Sequence, residues 1–412
     1  MKRLVFPVAI VTLLILLLAL FGVACAKLDR AANAVEALWQ SQLASAQSAL
    51  EEAQLTLEKA LLSSDPALKG AYLMAVRRYA DQADAALSAS SMEMYVAAPA
   101  LALVKQLSDR SSALAQTLLA GEAVSNADAA YLTASSEACA RLIDQLSLAR
   151  GQWTSDGGSA QQAREPDPAT IPVMEHDQPL GLPNMPVTHE EALVLAAQAV
   201  GADRVTRVQS GADASGVLPA HGIIVDTNDL RLNVEITKNG GKLLMMMPET
   251  ASFQPLHTSG DCSEAAGRYL EAMGFPEMRQ VSWQVYDGLL VAAFVPLQEG
   301  VLLYPDMLHV QVRMDTMEVV GFEAVGYWTY HVQRMLPDAA LSPEEASRLV
   351  SAHATVDAVR LCLLALQGQE RLCYEVNAES GGEHYYIYLD ADTGREVSVR
   401  KLLMTPNGLL SA

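Results

Sequence analysis

The acidic turn "DADTG" at residues 390–394 has the residue types and spacing most suited to chemistry, and it lies between two apolar stretches. Its last three residues, 392–394, resemble the catalytic triplet of aspartic proteases. Such enzymes need two carboxylates from two lobes, and the sequence holds no second copy. Asp390 and Asp392 begin like a calcium-binding loop, but the twelfth position is Lys401, where a bidentate glutamate is required. We therefore interpret the turn as the corner of a β-hairpin.

Histidine residues are spread along the chain without a metal-binding spacing. The stretch HEEAL at 189–193 begins like the helix of zinc proteases, but Leu193 stands where the second histidine is needed. We interpret the histidines as surface or packing residues. The sequence also lacks a nucleophile elbow, a P-loop and a dinucleotide fingerprint. We therefore predict that the chain is not an enzyme, that it has no catalytic, cofactor-binding or metal-binding residues, and that it uses no cofactor.

The five cysteines show no C-x-x-C spacing, which argues against a redox motif or a zinc ribbon. Two of them, Cys362 and Cys373, fall on segments that can form neighbouring strands. They could form a disulfide there or remain buried thiols, and the sequence leaves both interpretations open.

Aromatic residues concentrate at the end of the segment 304–328, in a chain that is only 6% aromatic. Phe322, Tyr327 and Trp328 lie within its last seven residues. Our preferred interpretation is a sheet core with a joint between modules. A partner-binding surface is the alternative, because aromatic side chains dominate contact energies at interfaces.

Composition limits the classes of function that the chain can have. It has 412 residues, of which 28 are basic and 48 acidic, for a formal charge of −20. A nucleic acid or an anionic membrane surface would repel such a chain, so we predict no nucleic-acid partner. The length allows about two to four domains, each with its own core.

Residues 4–26 carry no charge and follow Lys2 and Arg3. As a helix, this segment would reach about 35 Å, enough to cross a hydrocarbon core of about 30 Å. We therefore predict a transmembrane or signal-anchor segment that attaches the chain to a membrane and leaves its bulk outside the cytoplasm. Residues 24–26 also fit a cleavage site, so a removed signal peptide is an alternative, and lipidation of Cys25 is another.

Residues 27–150 show a helical pattern of apolar residues, which recur with a mean step of about 3.7 from Leu28 to Leu61. Further helices are expected over about 67–92, 97–119 and 126–149. The region is predicted to be an elongated antiparallel helical bundle. The next residues, 151–186, are rich in proline and glycine and predict a linker. Such a linker could be cut by a protease during function.

The remainder of the chain repeats a helix followed by a hairpin of alternating apolar and polar residues. Two of the helices open with the capping patterns THEE and SPEE. We predict three small modules, each with one helix packed on an antiparallel sheet. Their predicted boundaries are 187–255, 256–335 and 336–404. The predicted helix and hairpin pairs are 188–201 with 232–247, 262–276 with 309–324, and 342–354 with 385–401.

These repeated units resemble PepSY domains, and the stretch DADTGREV at 390–397 is similar to the commonest motif of that family. The whole assembly resembles the spore germination protein YpeB family. The stretches that carry this resemblance are YPDM at 304–307, VVGFEA at 319–324, CYEV at 373–376 and YYIYLDADTG at 385–394. The resemblance implies an α+β fold with an N-terminal transmembrane helix, a helical bundle and tandem PepSY-like modules.

The resemblance also implies a function. Proteins of this family act with SleB, a cortex-lytic peptidoglycan hydrolase, and hold and restrain it in the dormant spore. We therefore expect a non-enzymatic scaffold, anchored at the spore inner membrane, with a SleB-type enzyme as partner and with the capacity to form a homo-oligomer. The alternative is an exported PepSY-type inhibitor or sensor that acts on a peptidase or another wall enzyme.

Overall fold

The computed structural model describes only part of the chain. The described residues are residue 37 and residues 40–89, 94–153, 179–215, 218–249, 252–366, 369–405 and 408–411. The predictions for residues 4–26, and for most of the linker at 151–186, lie outside these ranges.

Four helices form the first unit of the structure. Helix α1 covers residues 40–62, α2 Pro66–Ala89, α3 Met94–Leu119 and α4 Asn126–Trp153. The apolar stripe predicted for α1 is buried from Leu43 to Leu57 and partly buried at Leu61, and small alanines between its leucines allow the helices to approach closely. Gly121, with φ of 81°, ends the turn after α3, and Ser125 caps α4. The side chains that share this core in α1 and α2 include Leu43, Leu50, Leu57, Leu73, Val76 and Leu87.

The predicted fold class was wrong about a transmembrane helix. Within the described ranges, none of the helices has both the length and the apolar character needed to cross a membrane. The physical reason is that α1–α4 place charged and polar residues on their exposed faces and bury only one stripe. The span predicted at residues 4–26 falls outside the described part of the chain.

The second unit contains three helix-and-sheet repeats. Its helices are α5 (His189–Val200), α6 (Ser259–Ala272), α7 (Val325–Tyr330) and α8 (Pro343–Leu349). The predicted caps are confirmed, because Thr188 and Ser342 each form a capping box with a glutamate three residues later. Thr258 forms a third box with Asp261. Helix α8 is shorter than predicted because the backbone becomes extended at Val350, and a strand begins at residue 355.

Fourteen strands alternate with these helices along the described ranges. The predicted hairpins are present as β3–β4, β8–β9 and β12–β13, and each repeat adds further strands that were not predicted. In the first repeat the strands are β1 (Val205–Ser210), β2 (Ala220–Thr227), β3 (Arg231–Thr237) and β4 (Leu243–Pro248). In the second they are β5 (Met278–Tyr286), β6 (Leu289–Gln298), β7 (Val301–Leu303), β8 (Leu308–Arg313) and β9 (Val319–Glu323). In the third they are β10 (Thr355–Leu366), β11 (Gln369–Ser380), β12 (Glu383–Asp390), β13 (Glu396–Thr405) and β14 (Gly408–Ser411).

The sequence predicted a separate sheet for each of the three repeats, but the structure does not show this arrangement. All fourteen strands belong to one hydrogen-bonded sheet. Strand β4 of the first repeat pairs with β9 of the second, and β14 of the third pairs with β5 of the second. An unpaired strand edge leaves backbone N–H and C=O groups without partners, so adjacent repeats satisfy these groups by joining their edges.

Part of this sheet closes on itself. Strand β7 pairs antiparallel with β6 through a tight hairpin and parallel with β10. The strands therefore form a ring in the order β6, β5, β14, β13, β12, β11, β10, β7 and again β6. Among the described strands, β1 is paired on one side alone. The ring fixes the second and third repeats to each other at two separate places.

Candidate functional site

The acidic turn at residues 390–394 is a structural corner in the hairpin β12–β13. The carboxylate of Asp390 accepts hydrogen bonds at 2.8 Å from both the backbone N–H and the hydroxyl of Thr393. Burial raises the pKa of Asp390, but these bonds, with a further bond from Asp392 N–H, more than offset it and hold the pKa below its usual range. Gly394 closes the turn with φ of 71°. The carboxylate thus stabilises its own loop, as the hairpin interpretation predicted.

The aromatic residues at 322–328 form a joint between the first and second repeats. Phe322 and Tyr327 are buried, and Phe275, which follows the end of α6, lies against both rings. The indole N–H of Trp328 donates a hydrogen bond of 2.8 Å to the carbonyl of Leu243 on β4. The positions of these rings support the preferred interpretation, a sheet core with an inter-module joint.

A cluster of charged side chains connects the second repeat to the third. Asp306 lies in the 3₁₀ turn Tyr304–Asp306, Arg334 lies in the segment that leads to α8, and Glu370 lies on β11. Arg334 donates to both oxygens of Asp306 at 2.7 Å and to Glu370 at distances from 2.6 to 3.0 Å. His331 Nδ1 lies 2.8 Å from Asp306 Oδ2. One guanidinium therefore joins carboxylates of two repeats.

This cluster is shielded from solvent. The side chain of Asp306 is 0% exposed, and that of Arg334 is 8% exposed. Burial lowers the pKa of Arg334, but its hydrogen bonds to Glu370 and Asp306 more than offset this and hold the pKa above its usual value. Gln298 bonds the backbone N–H and carbonyl of Arg334 at 3.0 and 2.7 Å, which fixes the segment as well as its side chain. The connection between the repeats is therefore ordered by both backbone and side-chain contacts.

A second polar cluster lies between the same two repeats. Glu375 on β11 is 2% exposed, and it accepts hydrogen bonds from the hydroxyls of Tyr304 and, at 3.1 Å, Tyr388. Burial raises the pKa of Glu375, and the two tyrosine hydrogen bonds only partly offset this effect. Tyr304 belongs to the YPDM stretch, so that one short motif supplies a contact to both clusters.

The two cysteines of the third repeat lie directly opposite each other on β10 and β11. Both are buried free thiols. Burial raises the pKa of Cys373 to about 12 and that of Cys362 well above its usual value. The placement on neighbouring strands is as expected, and the structure shows the thiol form of the two alternatives.

The structure also brings together residues that the sequence did not connect. His189, the first residue of α5, lies beside His221 on β2, with ring centroids 5.2 Å apart. Asp213, in the loop between β1 and β2, completes a group of three potential ligand atoms within 4.8 Å of one another. The HEEAL stretch therefore lies next to a second histidine, but this histidine comes from a strand 32 residues later and not from the same helix. The expectation that the chain has no catalytic, cofactor-binding or metal-binding residues stays a prediction, and a metal ion bound by this group would contradict it.

Sequence reasoning missed both the charged cluster around Arg334 and the polar cluster around Glu375. Asp306 and Arg334 are 28 residues apart, and Arg334 and Glu370 are 36 apart, so local spacing does not connect them. The signal that could have found them is the YPDM stretch, in which an aspartate follows an aromatic residue and a proline within an apolar segment.

Two family models match this chain. Residues 161–337 match the model described as YpeB sporulation, PepSY1 and PepSY2 domains, and residues 340–400 match that described as peptidase propeptide and YPEB domain. Domains of these families are typically regulatory and non-catalytic. The matches fall on the second structural unit and its preceding linker.

Curated relatives and a solved structure agree with these models. A sporulation protein YpeB of Halalkalibacterium halodurans is 28% identical over 219 residues, covering 52% of this chain and 49% of that protein. A protein of the same name from Bacillus subtilis is 30% identical over 172 residues, covering 41% of this chain and 38% of that protein. The chain spans about half or less of the length of these relatives.

The fold has a counterpart of known structure. The Bacillus megaterium YpeB C-terminal domain superposes with a TM-score of 0.50 at 23% identity, and the match covers 53% of this chain and 100% of that domain. This likeness shows the fold of the second unit. The family models and the relatives together show that the chain belongs to the YpeB family of sporulation proteins and carries PepSY domains.

Proposed function

We propose that this chain acts in spore germination as a non-enzymatic scaffold that localises, stabilises and restrains a SleB-type cortex-lytic peptidoglycan hydrolase. Membership in a family of sporulation proteins supports the biological setting. The observation that carries the scaffold role is the single sheet shared by all three PepSY-like repeats. A protein that holds a partner in one place benefits from repeats that keep a fixed spacing.

The contacts between repeats favour such a fixed spacing. The second and third repeats are joined by two separate strand pairings within the ring. They are also joined by the guanidinium of Arg334, which bonds the buried carboxylate of Asp306 and the partly exposed carboxylate of Glu370. Moving one repeat relative to the other would break these bonds and expose buried charges, at a cost of several kcal/mol. Surfaces that lie on different repeats therefore keep a constant geometry, which allows a partner to contact more than one repeat at once.

We place this function outside the cytoplasm of the dormant spore, at the spore inner membrane, next to the cortex that the partner degrades. Cleavage of the linker at 151–186, which would release the partner, is part of the same proposal. A linker that stays intact throughout germination contradicts that step. Homo-oligomer formation also stays a prediction.

The experiment that tests the scaffold role uses spores that lack this gene. Dormant spores are blotted for the SleB-type hydrolase, and cortex breakdown is followed after a germinant is added. We expect the hydrolase to be missing and the cortex to persist, with both restored by a copy of the gene. Normal hydrolase levels and normal cortex breakdown would contradict the proposal.

A point variant separates the scaffold geometry from the mere presence of the chain. Arg334→Met removes the guanidinium that joins the second and third repeats, and we expect the hydrolase level to fall in spores that carry it. Arg268→Ala is the matched control, because Arg268 forms an exposed pair with Glu264 within α6 and joins no repeats. Equal hydrolase levels in the two strains, with equal levels of the two variants, would show that the rigid junction is not needed.

The description of the second family model as a peptidase propeptide domain favours one alternative, an inhibitor of a peptidase or another wall enzyme. The two functions differ in a purified system. An inhibitor slows the enzyme in solution at stoichiometric concentration, whereas a scaffold protects the enzyme from loss in the spore. Strong inhibition in solution together with normal hydrolase levels in deletion spores would favour the alternative.

A further inference from the structure

The backbone around Gly222 positions Asp213 against strand β2. A Cβ atom at Gly222 would lie 1.8 Å from the carbonyl oxygen of Ala212, so the loop can lie on the strand only because this residue is glycine. The loop is held by paired hydrogen bonds of 3.0 and 3.1 Å between Ala214 and Ala220. Gly222 N–H donates to Asp213 Oδ1 at 3.2 Å. The sequence therefore builds this loop so that the Asp213 carboxylate faces the side of β2 that carries His221.

The protonation of His221 follows from its contacts. Its Nε2 lies 2.9 Å from the carbonyl oxygen of Val187, which can only accept, so Nε2 carries a proton and donates. In the neutral ring, Nδ1 then carries a lone pair. The side chain of His221 is 12% exposed, and Nδ1 is a buried atom with no hydrogen-bond partner in the described part of the chain.

The lone pair of His221 Nδ1 faces a negative charge. Asp213 Oδ1 lies 3.9 Å from it. The hydrogen bond from Lys238, at 2.7 Å to Oδ2, and the bond from Gly222 lower the pKa of Asp213, so this carboxylate is ionised at neutral pH. Two electron-rich atoms this close repel each other unless a positive charge lies between them. Either a proton on Nδ1 or a metal ion can supply that charge.

His189 provides a third possible metal ligand beside His221 and Asp213. One of its ring nitrogens belongs to the group of three ligand atoms within 4.8 Å. Its Nε2 lies 2.7 Å from the hydroxyl of Ser210 at the end of β1, and a hydroxyl can either donate to the ring or accept from it. His189 is therefore free to offer a lone pair. Because His189 is the first residue of α5, the group of His189, Asp213 and His221 brings this helix next to the strands.

We propose that His189, Asp213 and His221 bind a divalent zinc ion. Two imidazoles and one carboxylate form a ligand set that suits Zn²⁺, with a water molecule in the fourth position. Tetrahedral zinc with bonds of about 2.0–2.1 Å places its ligands roughly 3.3 Å apart, so ligand atoms that now lie within 4.8 Å of one another need to close by up to about 1.5 Å. The half-exposed side chain of Asp213 has room to make this movement.

The contacts around these three residues match the outer shell of a zinc site. A metal-binding histidine donates its other N–H to a backbone carbonyl or a carboxylate, and His221 donates to Val187. A metal-binding carboxylate is itself hydrogen-bonded, and Asp213 accepts from Lys238 and Gly222. Zinc at this position would join α5, the loop after β1, and β2. It would fix the helix of the first repeat on its sheet.

The test is a titration of the metal-free full chain with zinc chloride, followed by calorimetry and by thermal unfolding. We expect one strong zinc site and an increase in the melting temperature at saturating zinc. Asp213→Asn and His189→Gln should each weaken binding by at least 10-fold, because changes to the outer-shell partners of metal ligands alone cost about 10–100-fold in affinity. Both variants alter partly or fully exposed positions, so their metal-free forms should melt close to the metal-free original chain.

The matched control is His384→Gln. His384 is a half-exposed histidine 3.9 Å from the carboxylate of Asp357, in the third repeat, and it has no third ligand in the described residues. This variant should bind zinc as the original chain does. Cobalt chloride gives a second readout, because a site of nitrogen and oxygen ligands lacks the intense ultraviolet charge-transfer band of a thiolate site. That band would show binding at a cysteine.

Four results would overturn the proposal. Three are no zinc binding, zinc binding that Asp213→Asn and His189→Gln leave unchanged, and a cobalt spectrum with a thiolate band. The fourth is a proton on both nitrogens of His221 at pH 7, seen by ¹⁵N NMR and unaffected by zinc, which would assign the positive charge to the imidazolium.

Discussion

Arg334, in the segment that connects the second PepSY-like repeat to the third, bonds both carboxylate oxygens of Asp306 at 2.7 Å and also bonds Glu370 of the third repeat. Asp306 is fully buried, so its carboxylate oxygens depend on this partner and on His331 for hydrogen bonds. Planar bidentate geometry is particular to arginine, and a lysine could not reproduce it. This pair fixes the position of the segment that connects the two repeats.

Replacing Arg334 should therefore destabilise the second unit strongly. Arg334→Met leaves the Asp306 carboxylate buried without its main partner, and we expect a loss of about 3–5 kcal/mol in the free energy of unfolding. Urea denaturation followed by circular dichroism measures it. Arg268→Ala, which removes an exposed pair, should change the same quantity by less than about 0.5 kcal/mol. Similar losses in both variants would show that the buried pair contributes little.

Glu375 should make the stability depend on pH in a direction opposite to that of most carboxylates. Burial raises its pKa in the folded chain above the value of about 4.3 for an unfolded chain, so the folded state binds more protons between these two values. Its contribution to stability is therefore full below about pH 4.3 and is lost as pH rises through the folded pKa.

Glu375→Gln removes this titration while keeping an oxygen that can accept from Tyr304 and Tyr388. The unfolding free energy of the variant minus that of the original chain should therefore rise with pH over that window and then level off. Urea denaturation at a series of pH values from 4 upward measures this difference. A difference that stays constant, or that falls with pH, would contradict the raised pKa.

Gly394 should be intolerant of a side chain for two reasons that can be separated. Its φ is 71°, and a Cβ would lie 2.5 Å from Leu349 Cδ1 of α8. Gly381 also has a positive φ, of 62°, but a Cβ there would meet nothing within 4 Å. Gly381→Ala should cost about 1 kcal/mol from backbone strain alone. Gly394→Ala should cost about 1–3 kcal/mol more because of the clash.

Thermal or urea unfolding of these two variants gives the comparison. Equal losses would mean that Leu349 moves aside without cost. The turn would then be constrained only by its own backbone.

Cys362 and Cys373 should resist alkylation in the native chain. Thiolate is the reactive form, and burial raises the pKa of Cys373 to about 12 and that of Cys362 well above its usual value. We expect iodoacetamide at pH 8 to leave both thiols unmodified, and a second label added after unfolding in urea to modify both. Peptide mass spectrometry reads the two labels. A peptide pair that takes up neither label before reduction would show a disulfide instead of the thiols.

Local patterns in the sequence predicted the elements that depend on nearby residues. The capping boxes at Thr188 and Ser342 need only residues three positions apart, and the turn at 390–394 is stabilised by its own aspartate. The apolar stripe of α1 follows from helical periodicity alone. In each case one short stretch contains both the signal and the contacts that satisfy it.

The fusion of the sheets could not be predicted in this way. Pairing of β14 with β5, and of β7 with β10, joins strands that are distant in sequence and carry no local signal for their partner. Strands such as β6 are buried over most of their length, so they lack the alternation that identified the other hairpins. The groups at Arg334 and His221 were missed for the same reason, because their partners come from other elements.

The closed ring has a consequence for synthesis on the ribosome. Strand β5 is complete when residue 286 has been added, but its second neighbour is β14, made of residues 408–411. Strand β7 of the same repeat likewise has one unpaired edge until β10 has been synthesised. The second repeat therefore leaves the ribosome with two open edges that later sequence must cover. Chaperones that bind exposed strands would have their longest access to this repeat, and a message cut before codon 408 would leave β5 and β13 open to pairing with other chains.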